Sequence, residues 1–111
     1  MHFDLMLQVG DALATWQLAQ LPTSLAVGQS LPATQLPDHR LAYLDYEGPV
    51  SRGRGSVRIA QAGTWRGERT GPGSWVFSLH GQHVTADFAL RQLHGRQWEL
   101  SRLPESAPPE S

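Results

Sequence analysis

Apolar and polar residues alternate one for one at the start of this chain, and that period of two returns in short runs to its end. Phe3, Leu5, Leu7 and Val9 alternate with His2, Asp4, Met6 and Gln8. Successive side chains of an extended strand point to opposite faces, so this run has one apolar face and one polar face. A second run, Ala12–Leu18, follows Gly10-Asp11, a two-residue turn with glycine first. Residues 41–46, 56–60, 75–80, 84–90 and 98–100 read as further strands. Ordered loops are expected over 21–37 and 66–73, and turns at Ala62-Gly63, His80-Gly81-Gln82 and His94-Gly95. No segment carries ten or more residues of helical period. Short strands punctuated by eleven Gly and eight Pro predict an all-β chain with little helix, an antiparallel barrel or sandwich.

At 111 residues the chain is sized for one domain with a small core. That domain is expected over 1–103, with 104–111 a disordered Pro/Ser/Glu tail. Zero Cys excludes disulfides, thiolate metal sites and cysteine nucleophiles. No apolar run approaches the roughly 18 residues of a membrane span, and no signal-peptide pattern is present. The expectation is a cytoplasmic protein without a membrane partner. A net charge of −1 gives no support for non-specific electrostatic attraction to nucleic acid. All nine basic residues are Arg, which excludes lysine chemistry and suits bidentate phosphate recognition.

Two polar clusters carry chemistry. Residues i and i+2 on one strand face lie roughly 6.5–7 Å apart at Cα, so His2 and Asp4 can converge on one divalent cation. A mixed N/O donor pair suits Mn, Fe or Zn and points to hydrolytic or phosphoryl chemistry. A polar solvent face on an edge strand is the plain alternative. Downstream, His39 and Tyr43 are donors able to reach a phosphate oxygen, and Asp38 can orient the His39 ring. The alternative there is a capped turn with solvated acids and a core tyrosine. Ser51-Arg52-Gly53-Arg54-Gly55 has the composition of an anion-cradling loop, making Arg52 and Arg54 candidate phosphate contacts, but it lacks the Walker A and dinucleotide spacings. No Gly-x-Ser-x-Gly supports a serine hydrolase. His80, His83 and His94 beside turn glycines read as solvated, and Trp16, Trp65, Trp75 and Trp98 read mostly as core or barrel rim.

In order along the chain, these segments resemble the 3′-phosphoesterase domain of bacterial DNA ligase D. His2-Phe3-Asp4-Leu5-Met6-Leu7 is similar to that family's His-aromatic-Asp-aromatic-Arg-Leu strand. Trp16 to Pro22 stands where the family has Trp-Ala-Val-Pro-Lys-Gly-Pro, and Asp38-His39 through Glu47-Gly48 resembles its Asp-His-Pro segment with the following Tyr and aromatic-Glu-Gly. Arg54-Gly55-Ser56-Val57, Gly63-Thr64-Trp65, Leu79-His80-Gly81 and Ala89-Leu90 match further elements. The resemblance implies a compact β-barrel and a Mn²⁺-dependent activity on DNA 3′ ends, removing a terminal ribonucleoside and a 3′-phosphate. It implies metal ligation by His2 and Asp4, assistance at the phosphoryl centre by His39, and a phosphate contact by Tyr43. DNA 3′ ends, and repair ligase or polymerase proteins, are the implied partners.

The chain also departs from that pattern. The family's strand Arg is Met6 here, its Lys after the Trp is Gln20, and an Arg eight positions before the active-site His aligns with Leu31. A further metal-binding His of the family falls before His2, and a coding extension upstream of Met1 would be expected to carry it. The alternative function is an inactive β-barrel module that binds DNA ends, nucleotides or a repair protein.

Overall fold

The computed structural model describes residues 2–41, 48–49, 56–57, 63–81 and 85–104. Among these residues nine strands follow one another: β1 (Phe3–Val9), β2 (Ala12–Leu18), β3 (Ser30–Arg40), β4 (Gly48–Pro49), β5 (Ser56–Val57), β6 (Gly63–Gly71), β7 (Ser74–Gly81), β8 (Thr85–His94) and β9 (Gln97–Arg102). Seven form one antiparallel sheet in the order β1-β2-β3-β9-β8-β7-β6, curled into a nearly closed barrel, and β4 pairs with β5 separately. The all-β barrel expectation holds. Among the described residues no helix is long and apolar enough to cross a membrane.

Among the described residues, the apolar faces of the alternating runs in the seven-stranded sheet line the barrel. Leu5 and Leu7 of β1 join Trp16 and Leu18 of β2, Leu31 and Ala33 of β3, Trp75 and Phe77 of β7, Ala86, Phe88 and Leu90 of β8, and Trp98 and Leu100 of β9. Burying a large apolar side chain contributes roughly 1.5–3 kcal/mol, so this row-by-row agreement of pattern and sheet holds the fold. Trp16 stands edge-on to Trp98 and to Trp75, with ring centroids 5.5 and 5.6 Å away, and Phe77 stacks on Phe88 at 5.7 Å. The half-buried Trp65 of β6 donates its indole N–H to the Gln8 carbonyl of β1 at 3.0 Å. That bond ties together the two strands at which the sheet would otherwise remain open.

Gly10 turns β1 into β2 with φ +63, a conformation that costs glycine little, and the ladder runs in register from Val9–Ala12 to Phe3–Leu18. Two expected loops prove to be strand. Within 21–37, only the part before Ser30 is irregular: Pro22–Ser24 forms a 3-10 turn, and Gly28 N–H bonds the Arg102 carbonyl at 2.9 Å. Pro32 and Pro37 hid β3 from a reading that treats proline as a strand breaker. Pro32 stands one residue before the first β2 rung at Ala33 and is paired only with β9, and Pro37 lies in a bulge. The loop expected over 66–73 is mostly β6, whose nine residues are largely exposed and carry no alternation because an edge strand over one end of a small core buries little. Gly67 is required there by close packing, since a Cβ at that position would come within 2.5 Å of Phe77 Cα. Gly63 likewise belongs to β6, and His80 and Gly81 to β7, rather than to turns. The His94-Gly95 turn is centred one residue later, with Gly95 at φ +56 and His94 still in β8. The parts of the expected strands at 42–46 and 58–60, and the tail beyond Pro104, lie outside the described residues.

Candidate functional site

The face of β1 turned away from the core carries His2, Asp4, Met6 and Gln8. His2 Nε2 lies 3.8 Å from Asp4 Oδ1. The imidazole is largely exposed, whereas the Asp4 side chain is 22% exposed and its Oδ1 has no accessible surface and no hydrogen-bond partner among the described residues. A carboxylate oxygen withdrawn from water without a donor is costly unless a cation compensates it. Its surroundings therefore fit a metal held by one oxygen and one nitrogen. Among the described residues no group of three or more His, Asp or Glu side chains completes such a site.

β2 and β3 continue this outer face. Thr15 stands opposite Met6 and Leu36, and Leu13 stands opposite Gln8 and His39. Leu13 is fully buried and Thr15 nearly so, although both lie on the side opposite the core cluster. Thr15 satisfies its hydroxyl on the Leu13 carbonyl at 2.9 Å.

His39 reaches this face through a local irregularity. Along an unbroken strand it would share the parity of Leu31, Ala33 and Gln35 and point inward. Between the Thr15–Leu36 and Leu13–His39 rungs, β3 has two residues, Pro37 and Asp38, where β2 has one. The extra residue reverses the parity and turns His39 outward. His39 Nδ1 lies 2.9 Å from the Pro37 carbonyl, which can only accept, so Nδ1 is the donor and the neutral ring carries its lone pair on Nε2.

The structure thus brings His2 and Asp4 together and sets His39 apart from them. His39 is level with Gln8, four residues along β1 from Asp4, which corresponds to about 13 Å along the strand and about 10 Å across two strand intervals. Arg40, adjacent to His39 and paired with Ala12, alternates to the other face. Tyr43, Arg52 and Arg54 lie outside the described residues. Met6 occupies the outer face between Asp4 and Gln8, so no cation is supplied there by β1. Trp16, Trp75 and Trp98 are core residues, as expected. The bulge was missed by sequence reasoning. Its signal was Pro37-Asp38 interrupting an otherwise alternating Leu31, Ala33, Gln35 series.

The fold and this face together define a small β-barrel protein with a carboxylate–imidazole pair on its outer face. The chain belongs to the DNA ligase D 3′-phosphoesterase domain family, whose profile matches residues 1–92. It is 29% identical over 110 residues to the multifunctional non-homologous end joining DNA repair protein LigD of Mycobacterium tuberculosis (strain H37Rv), covering 92% of this chain. It is 26% identical over 120 residues to the multifunctional non-homologous end joining protein LigD of Mycolicibacterium smegmatis, covering 95%. The chain spans 14% and 16% of the lengths of those two proteins.

Proposed function

We propose that this chain processes DNA 3′ ends in repair as a metal-dependent phosphoesterase, removing a terminal phosphate or ribonucleoside and acting in the cytoplasm. The supporting observation is the buried Asp4 Oδ1, without a hydrogen-bond donor among the described residues and 3.8 Å from His2 Nε2, in a chain of this family. His2 Nε2 and an Asp4 oxygen would hold Mn²⁺, which supplies Lewis-acid polarisation of a phosphate oxygen and a lowered pKa for bound water. His39, its Nδ1–H held by the bulge carbonyl, would donate from Nε2, when that nitrogen is protonated, to a phosphate oxygen or leaving group. Tyr43, Arg52 and Arg54 are assigned to further phosphate oxygens. Repair ligase or polymerase proteins are the fitting partners for an end so prepared.

The distance between the Asp4 and His39 rungs favours a second reading, in which the barrel binds DNA ends without turnover. One assay separates the two. Phosphate release from a 3′-phosphorylated primer is measured with and without Mn²⁺ for the full chain and for Asp4→Ala. Mn²⁺-dependent release that the substitution abolishes supports the phosphoesterase. Primer binding that persists in chelator, with no release, selects the binding module.

A further inference from the structure

Directly opposite residues on neighbouring antiparallel strands place their side chains on one face. Followed outward from Asp4, the rungs are Asp4–Gln17, Gln17–Thr34, Thr34–Gln97 and Gln97–His94. One row of polar side chains therefore crosses β1, β2, β3, β9 and β8 at right angles to the strands. Adjacent strands lie about 4.8 Å apart, so the row is about 19 Å long measured around the curled sheet. The next row along the strands, Phe3, Leu18, Ala33 and Trp98, points the other way, into the barrel.

The row is open to a ligand. Asp4, Gln17 and Thr34 are half-buried, and Gln97 and His94 are exposed. The side chains of Gln17, Thr34, Gln97 and His94 have no hydrogen-bond or ion partner among the described residues. Two amides, a hydroxyl and an imidazole provide both donors and acceptors without a fixed charge. One flank is Met6, Thr15 and Leu36; the other contains Glu99, already paired with Arg91 at 3.3 Å. A ligand seated here meets one narrow polar track, one residue wide, that begins at the candidate metal ligands.

We infer that this row binds the sugar–phosphate backbone of the DNA strand whose 3′ end lies at His2 and Asp4. Gln and Thr side chains are ordinary donors to phosphate and sugar oxygens, and such contacts position a strand without reading its sequence. A flexible single strand can follow a track that curves around the barrel away from the end-binding pair. Neutral contacts release few counterions, so the row adds affinity without adding salt dependence. The inference rests on the DNA-end reading above, in either its catalytic or its binding form.

The test uses the full chain with Mn²⁺ and two fluorescent probes: a 3′-phosphorylated oligonucleotide of about twelve nucleotides and a 3′-phosphorylated dinucleotide. Anisotropy titrations of the Gln17→Ala/Thr34→Val double variant are expected to show roughly tenfold weaker binding of the longer probe. Dinucleotide affinity and the slope of log K against log salt stay at wild-type values. Gln97→Ala/His94→Ala, at exposed positions, gives a smaller loss in the same direction and serves if the half-buried pair perturbs folding. Unchanged affinity for the longer probe in both double variants overturns the inference. So does an equal loss for the dinucleotide, or a wild-type chain that binds neither probe. Length-dependent binding without phosphate release in the wild type strikes the phosphoesterase reading and leaves the row standing.

Discussion

On the outer face of β6, β7 and β8, Ser78 donates to Asp87, Thr70 and Ser74 share a hydrogen bond of 2.6 Å, and Arg91 lies 3.3 Å from Glu99 of β9. On the outer face of β1, β2, β3 and β9, Asp4 Oδ1 and the side chains of Gln17, Thr34 and Gln97 have no hydrogen-bond partner among the described residues. The two halves are built from the same ladder geometry, so the difference lies in how polar groups are matched across strands. Matched pairs recover the cost of leaving water within the fold. At Asp4 Oδ1, shielded from water, that cost stands until a cation or donor supplies the missing partner, whereas Gln17, Thr34 and Gln97 would exchange water for a ligand. The side chains named are thus matched to one another on one side and left for a ligand on the other.

The largest expected effect comes from Asp4→Ala. Loss of outer-shell partners of a metal ligand already costs 10–100-fold, so removing this ligand lowers Mn²⁺-dependent phosphate release by at least about a hundredfold. Its thermal midpoint is expected to stay level or rise, because a shielded carboxylate oxygen without a donor is removed. A loss of more than about 1 kcal/mol in urea unfolding would make Asp4 a structural residue and erase the contrast between the faces. Ser78→Ala gives the opposite profile. It removes one hydrogen bond to the part-buried Asp87 carboxylate, costing about 0.5–1.5 kcal/mol in urea unfolding, while DNA binding per folded molecule is unchanged. Weaker DNA binding in that variant would place the ligand on the wrong half of the barrel. The smallest effect belongs to Arg91→Ala. Its side chain is 69% exposed, so loss of the Glu99 pair costs about 0–1 kcal/mol and the difference fades as salt is raised.

The core of the barrel was legible because alternation reports burial residue by residue. The face assignments of Leu5, Leu7, Phe77, Phe88 and Leu100 all follow from it. His2 and Asp4 were legible as a pair for the same local reason: two residues apart on a strand, they share a face whatever the strand packs against. β6 was illegible because Arg66, Glu68, Arg69 and Thr70 face solvent at a sheet margin, and no apolar period marks an element that buries so little. β3 was obscured by two prolines that the fold accommodates at a one-sided rung and in a bulge.

Taken by itself, the sequence determined which faces seek the core, where Gly10 turns the first hairpin, that one carboxylate–imidazole pair shares a face, and which family the ordered motifs match. Tertiary structure alone decided that the bulge at Pro37 and Asp38 turns His39 outward, that His39 stands well apart from Asp4, and that residues 4, 17, 34, 97 and 94 meet in one row. The reason is physical. Alternation is a local consequence of strand geometry, whereas register is set by long-range pairing, and a one-residue slip in any ladder would carry these side chains to the opposite face.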